Sequence, residues 1–215
     1  MKVATGVPGF DGIVGGGFND NTINLITGQI GTCKSIFCMQ FLHHRAKKFN
    51  EKVCYITTDE CKESIIRQAS QFGWNLDELK DNFTIVEMEP YKMNRFISYV
   101  EEIRKRKIKR VVIDSISVFE VFVKDPFLMR KSLYSIIESL RTDGRVTILS
   151  AEIPYGSERL SRSEMVEFMA DTVVMMQYIQ AAKIKRNLTV KKMRFSKHSE
   201  NAHPFRIMNK GLIVG

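Results

Sequence analysis

GQIGTCKS (residues 28–35) is one residue away from a phosphate-binding loop. Such a loop has a glycine, four residues, then Gly-Lys-Ser or Gly-Lys-Thr, and it joins a strand to a helix. Gly28, Gly31, Lys34 and Ser35 fit, but Cys33 stands where the second glycine belongs. In a working loop the backbone N–H groups, here also those of Gln29, Ile30 and Thr32, turn toward phosphate oxygens at a helix N-terminus. The lysine reaches the outer phosphates and the hydroxyl holds Mg²⁺. A side chain at position 33 crowds that approach. If the position also demands a glycine torsion, the strain is on the order of 1–3 kcal/mol, enough to weaken nucleotide binding without abolishing it.

The surroundings of the loop read as alternating strands and helices. TINLIT (22–27) is a short β-branched run entering the loop, and residues 35–49 carry a helical apolar pattern. VCYITT (53–58), FTIVE (83–87), RVVIDS (110–115) and VTILS (146–150) read as further strands. Helices are expected over 62–72, over 93–107 by the spacing of Met93, Phe96, Val100 and Ile103, and after the Asp125-Pro126 cap. From Asp171 the pattern changes to DTVVMMQY, NLTVKKMRF, FRIM and GLIV, which read as hairpins. The expected fold is α/β: a mainly parallel twisted sheet with helices on both faces, extended by C-terminal antiparallel hairpins. Residues 1–215 read as one domain.

Lys and Arg number 33 against 24 Asp and Glu, a formal charge of +9. That excess suits a polyanionic partner. The N-terminus lacks the continuous apolar core of a signal peptide, and no apolar run approaches the roughly 18 residues that span a bilayer. A cytoplasmic protein with no membrane partner is expected. Cys33, Cys38, Cys54 and Cys61 include no Cys-x-x-Cys pair, so free thiols in a reducing compartment are expected.

Three further acidic residues complete a candidate site. Asp114 ends the run VVID, where a carboxylate can face Mg²⁺ across the loop. Asp59 and Glu60 follow the second strand, where one can activate water near a γ-phosphate while the other supports it. Glu60 is the preferred actor. The pair can equally serve as the N-cap of the next helix. In KKMRF, Lys192 and Arg194 share a face if the stretch is a strand; they are either a solvated face of a basic tail that includes Lys183 and Lys185, or cations aimed at a polyphosphate.

Taken together, TGVPGFDGIVGGG (5–17), the 28–35 loop, YITTDE with RQASQFGW, VVIDS and KKMRFSKHS resemble the KaiC/RadA branch of RecA-like ATPases with a P-loop NTPase core. Within it, they look most like the short archaeal RadA paralogues that consist of a single KaiC domain. The resemblance runs from Thr5 to about Val214. It implies ATP and Mg²⁺ as ligands, Gly28 to Ser35 as the phosphate loop, Asp114 as the metal-side acid, and Asp59 and Glu60 as the water-activating pair. It implies that Lys192, Arg194 and His198 reach a neighbouring subunit's ATP. A homo-oligomeric ring or filament with ATP between subunits follows, with loops lining a central channel.

Two functions fit this reading. One is a slow ATPase that binds single-stranded DNA as an accessory factor in recombination and repair, with a RadA-type recombinase as a candidate partner. Its DNA-binding loop would be PYGSERLSRSEM (154–165), with Tyr155, Arg159 and Arg162, and FEVFVKDPF (119–127) would be a second channel loop. The other is a KaiC-like nucleotide-dependent interaction module that does not touch DNA. The run RKRKIKR (104–110) reads as a solvated helix end under either.

Overall fold

The computed structural model describes residues 1–89, 93–179 and 186–215; Lys183, Lys185 and the side chain of Met93 lie outside the described residues. The chain runs β1 (Lys2–Val3), α1 (Phe10–Ile13), β2 (Phe18–Asn19), β3 (Thr22–Gly28), α2 (Lys34–Phe49), β4 (Val53–Thr57), α3 (Lys62–Ser70) and β5 (Phe83–Glu87). It continues through α4 (Met93–Lys105), β6 (Arg110–Asp114), α5 (Ser117–Phe122), α6 (Pro126–Leu140), β7 (Val146–Glu152) and α7 (Val166–Met169). It closes with β8 (Thr172–Tyr178), β9 (Arg186–Met193), β10 (His203–Met208) and β11 (Gly211–Val214).

Nine strands form one sheet in the order β11-β10-β9-β8-β3-β7-β6-β4-β5. From β8 to β5 every pairing is parallel, and from β8 to β11 every pairing is antiparallel. The expected hairpin extension is therefore present, and β3 lies inside the sheet between β7 and β8. Its side chains are all buried, which is why TINLIT reads as a continuous apolar run rather than an alternating one. Consecutive strand residues face opposite layers. Tyr55, Val112 and Ile148 join Phe37, Phe41 and Ile65 of α2 and α3 in one core. Cys54, Ile56, Val111 and Ile113 join Phe96, Val100, Leu133 and Ile136 of α4 and α6 in the other.

The Asp125-Pro126 cap forms as expected: the Asp125 carboxylate accepts from the N–H groups of Phe127 at 2.8 Å and Leu128 at 2.9 Å. Two expectations are corrected. Residues 119–127 are not one unbroken loop: Ser117–Phe122 is helix α5 and Phe119 is buried in the core, while residues 123–125 join α5 to α6. Nor does Arg110, last in RKRKIKR, lie on a solvated face. It is buried and, with Arg45, grips the Glu51 carboxylate from both sides: Arg110 at 2.8 and 2.7 Å, Arg45 at 2.7 and 2.9 Å. Two planar forks on one carboxylate tie the end of α2 to the start of β6. Burial raises the Glu51 pKa, but hydrogen bonds from Arg45 and Arg110 outweigh it and hold the carboxyl below its ordinary value.

All four cysteines are thiols, and Cys38 and Cys54 are buried. Among the described residues no helix is long and apolar enough to cross a membrane.

Two stability measurements follow. Glu51→Gln leaves two buried guanidinium groups without a counter-charge and is expected to cost about 3 kcal/mol in urea unfolding. His43 stacks on Trp74 with ring centroids 5.3 Å apart. Burial, then the charges of Lys47 and His44, lower its pKa to about 4. The unfolded chain takes up this proton first as pH falls, so the stability from neutral His43 is complete above about pH 6.5 and lost toward pH 4. His43→Phe is expected to flatten that part of the stability profile.

Candidate functional site

The carboxyl ends of β3, β4, β6 and β7 lie level, with Thr57 beside Asp114 and Gly28 beside Glu152. Open parallel sheets bind ligands outside that edge. Here the 28–35 loop leaves β3 and α2 begins at Lys34. A Cβ on Gly28 would sit 2.2 Å from the Met176 carbonyl oxygen, so glycine is required by contact. Thr32 is buried and its hydroxyl donates to the Gln29 carbonyl at 2.7 Å. The Lys34 ammonium donates to the carbonyls of Gly28 at 2.9 Å and Gln29 at 3.0 Å. Burial lowers its pKa, while Asp114 and then Glu152 raise it in part. Tyr178 of β8 braces the loop from outside by donating to the Gly31 carbonyl at 2.7 Å.

Cys33 is the helix N-cap at φ 74, in the left-handed region. The torsion is one that glycine adopts freely and other residues at a cost of about 1–2 kcal/mol. The strain expected from the sequence is therefore a property of the fold itself.

Asp114 is held on both oxygens: Tyr55 donates its hydroxyl to Oδ2 and Ser150 donates to Oδ1. Ser35 and Asp114, 79 positions apart by subtraction of their numbers, line one cleft at the strand ends. A hydroxyl and a carboxylate are hard donors of the kind Mg²⁺ takes when phosphates complete its shell. Burial raises the Tyr55 pKa well above its ordinary value, and the Asp114 charge raises it further. The phenol stays protonated as a donor.

Asp59 and Glu60 line the same cleft, which has a volume of 590 Å³. The Ser115 hydroxyl donates to Asp59 at 3.3 Å. Burial raises the Asp59 pKa, Ser115 lowers it, and the charges of Asp114 and Glu152 raise it again. Glu60 Oε2 accepts from Ser64 at 2.7 Å and from the Gln68 amide. Its other oxygen carries no hydrogen bond among the described residues. Neither acid caps α3. The cap position is Cys61, with no side-chain cap bond, and the Lys62 N–H donates to Glu87 at 2.6 Å.

Sequence reading missed Glu152, Tyr55 and Gln68. Glu152 lines the cleft, and Arg162 pairs with it at 3.0 Å. Its one signal was the Ala-Glu after VTILS, at the level where Asp114 ends the neighbouring strand. Arg159 pairs with Glu164 at 3.4 Å, whereas Tyr155 is 94% exposed.

The basic pair lies at the other end of the sheet. Lys192 donates to the carbonyls of Glu167, Phe168 and Ala170 at 3.0, 3.3 and 2.6 Å, closing the end of α7. Arg194 is not on the strand, which ends at Met193; it lies in the following turn and pairs with buried Asp171 at 3.4 Å. His198 Nδ1 lies 3.0 Å from the Ser199 carbonyl oxygen. None of the three lines the chain's own cleft.

A strand, phosphate loop and helix, with a carboxylate on a neighbouring parallel strand, make this a RecA-like nucleotide-binding domain. The family model described as the KaiC ATPase matches residues 3–215, and the chain belongs to that family. It is 32% identical to the circadian clock oscillator protein KaiC of Prochlorococcus marinus, over 100% of this chain and 45% of that protein. It therefore spans about half the length of the KaiC proteins it matches. It is 30% identical to a UPF0273 protein of Methanocaldococcus jannaschii, over 99% of this chain and 96% of the other. The crystal structure of a KaiC-like protein from Pyrococcus horikoshii superposes with a TM-score of 0.89 at 29% identity, covering 100% of this chain and 99% of that one.

Cys33→Gly removes a Cβ and a thiol from the cradle. It is expected to bind ATP about tenfold more tightly by calorimetric titration, given a strain of 1–3 kcal/mol; equal affinities would exclude a steric effect.

Proposed function

We propose that this chain binds ATP with Mg²⁺ and hydrolyses it slowly. We further propose that it assembles head to tail into a ring or filament with the nucleotide between subunits, and so acts as a nucleotide-dependent interaction module inside the cell. The observation that carries this reading is that Lys34, Ser35 and Asp114 line one cleft at the phosphate loop, with Asp114 held by the Tyr55 hydroxyl. Those two side chains would hold the metal, and bound Mg²⁺ supplies neutralisation of phosphate charge. Lys34 exchanges its carbonyl partners for phosphate oxygens. Glu60, steadied by Ser64 and Gln68, orients and deprotonates water, and Asp59 supports it. The oscillator role printed for the KaiC relatives favours a protein-interaction output.

Lys192, Arg194 and His198 stand too far along the sheet to serve their own cleft. In an assembly they would be offered to the next subunit's nucleotide, with Arg194 exchanging Asp171 for phosphate.

A second reading, single-stranded DNA binding as a recombination accessory, is favoured by the exposure of Tyr155 and the +9 charge. The ion pairs of Arg159 and Arg162 weigh against it, because both cations are already engaged.

Lys34→Ala is expected to lose ATP binding. Glu60→Gln is expected to keep ATP binding and lose turnover by about 100-fold or more, measured as phosphate release under saturating ATP. A Glu60→Gln protein that hydrolyses ATP at the wild-type rate would refute its role. Retention of labelled single-stranded DNA at low salt, lost steeply as salt rises, would favour the DNA reading; no retention in any nucleotide state supports the interaction module.

A further inference from the structure

Phe195 is both strained and uncovered. It follows Arg194 in the turn after β9, its backbone is left-handed at φ 65, and its side chain is 80% exposed. A bulky side chain at positive φ is an outlier, and this one gains no burial within its own chain. Strain of that kind persists where it serves a function. At the far end of the sheet the nucleotide cleft has an apolar rim: Ile30 is 83% exposed, Val121 59% and Phe122 52%.

We infer that Phe195 is an anchor that docks on this rim in a second copy of the chain. This rests on the head-to-tail assembly proposed above, and adds the contact that would set it. Charge complementarity supports the second copy as occupant. The turn presents Arg194 and Lys197 beside Phe195, while the cleft carries Asp59, Glu60, Asp114 and Glu152 against Lys34 and Arg162. Geometry excludes the contact within one chain. The Arg194 N–H donates to the Asp171 carbonyl and the Asp171 N–H to the Ile23 carbonyl, placing the turn at the start of β3. The phosphate loop leaves the other end of that strand, roughly 17 Å away at about 3.3 Å per residue. A contact between unlike ends of two copies is heterologous and generates a ring or a filament. A buried aromatic centre beside charged groups is the usual form of an energetically dominant contact.

The test compares wild type with Phe195→Gly by sedimentation velocity with ATP and Mg²⁺, and by thermal melting without nucleotide. The variant is expected to melt no lower than wild type, since glycine accepts the torsion. Its assembly midpoint is expected to move to about tenfold higher protein concentration or more. ATP affinity at concentrations where both are monomers should be unchanged. Unaltered assembly, or a lower melting temperature, overturns the anchor while leaving nucleotide-driven assembly standing. A wild type that stays monomeric with ATP and Mg²⁺ overturns both. Benzoyl-phenylalanine placed at position 195 should cross-link to residues 28–35 or 117–122 of a second copy; cross-links confined to other segments would equally overturn the anchor.

Discussion

The site depends on a carboxylate held at the end of a buried strand. Asp114 closes the buried strand β6 at the rim of the cleft, where a partly buried charge is costly unless hydrogen-bonded. Two hydroxyls offset that cost, from Tyr55 on β4 and Ser150 on β7, the strands on either side. Ser35, at the start of α2, lines the same cleft. One tyrosine thus fixes the carboxylate on the edge that the helix start also faces. The neighbouring carboxylates of Asp59 and Glu152 stand at the same edge, because parallel pairing brings four strand ends level.

Seven described residues other than glycine are left-handed, and two of them flank residues proposed to meet phosphate. Cys33 begins α2 in a left-handed conformation, and Phe195 ends the β9 segment in another. Neither torsion suits its residue, and each stands beside a basic residue, Lys34 or Arg194, proposed to meet phosphate. The two differ in what a glycine would change. At position 33 it would open the cradle toward phosphate. At position 195 it would remove a projecting ring.

Lys192 and Arg194 have partners in their own chain, yet not equivalent ones. Lys192 closes the carbonyl end of α7 with three acceptors. Burial lowers its pKa and the charge of Arg194 adds to that effect. Arg194 shares Asp171 with Arg141, which already occupies that carboxylate. Arg194 is therefore the cation of the pair more readily exchanged to a new anion, while Lys192 shapes the turn that carries it.

Much of this architecture was legible in the chain itself. The strand–loop–helix order, the placement of Gly28, Gly31, Lys34 and Ser35, Asp114 at a strand end and the antiparallel tail all follow from local rules: burial patterns, turn chemistry and cap preference act within a few residues. What the tertiary structure decided was every relation between distant positions. The Tyr55 and Ser150 hydroxyls on Asp114, the double fork of Arg45 and Arg110 on Glu51 and the helical state of residues 117–122 leave no local trace, and Glu152 left only the Ala-Glu after VTILS. They arise because a parallel sheet places side by side strands far apart in sequence, and only that register determines which polar groups must satisfy one another.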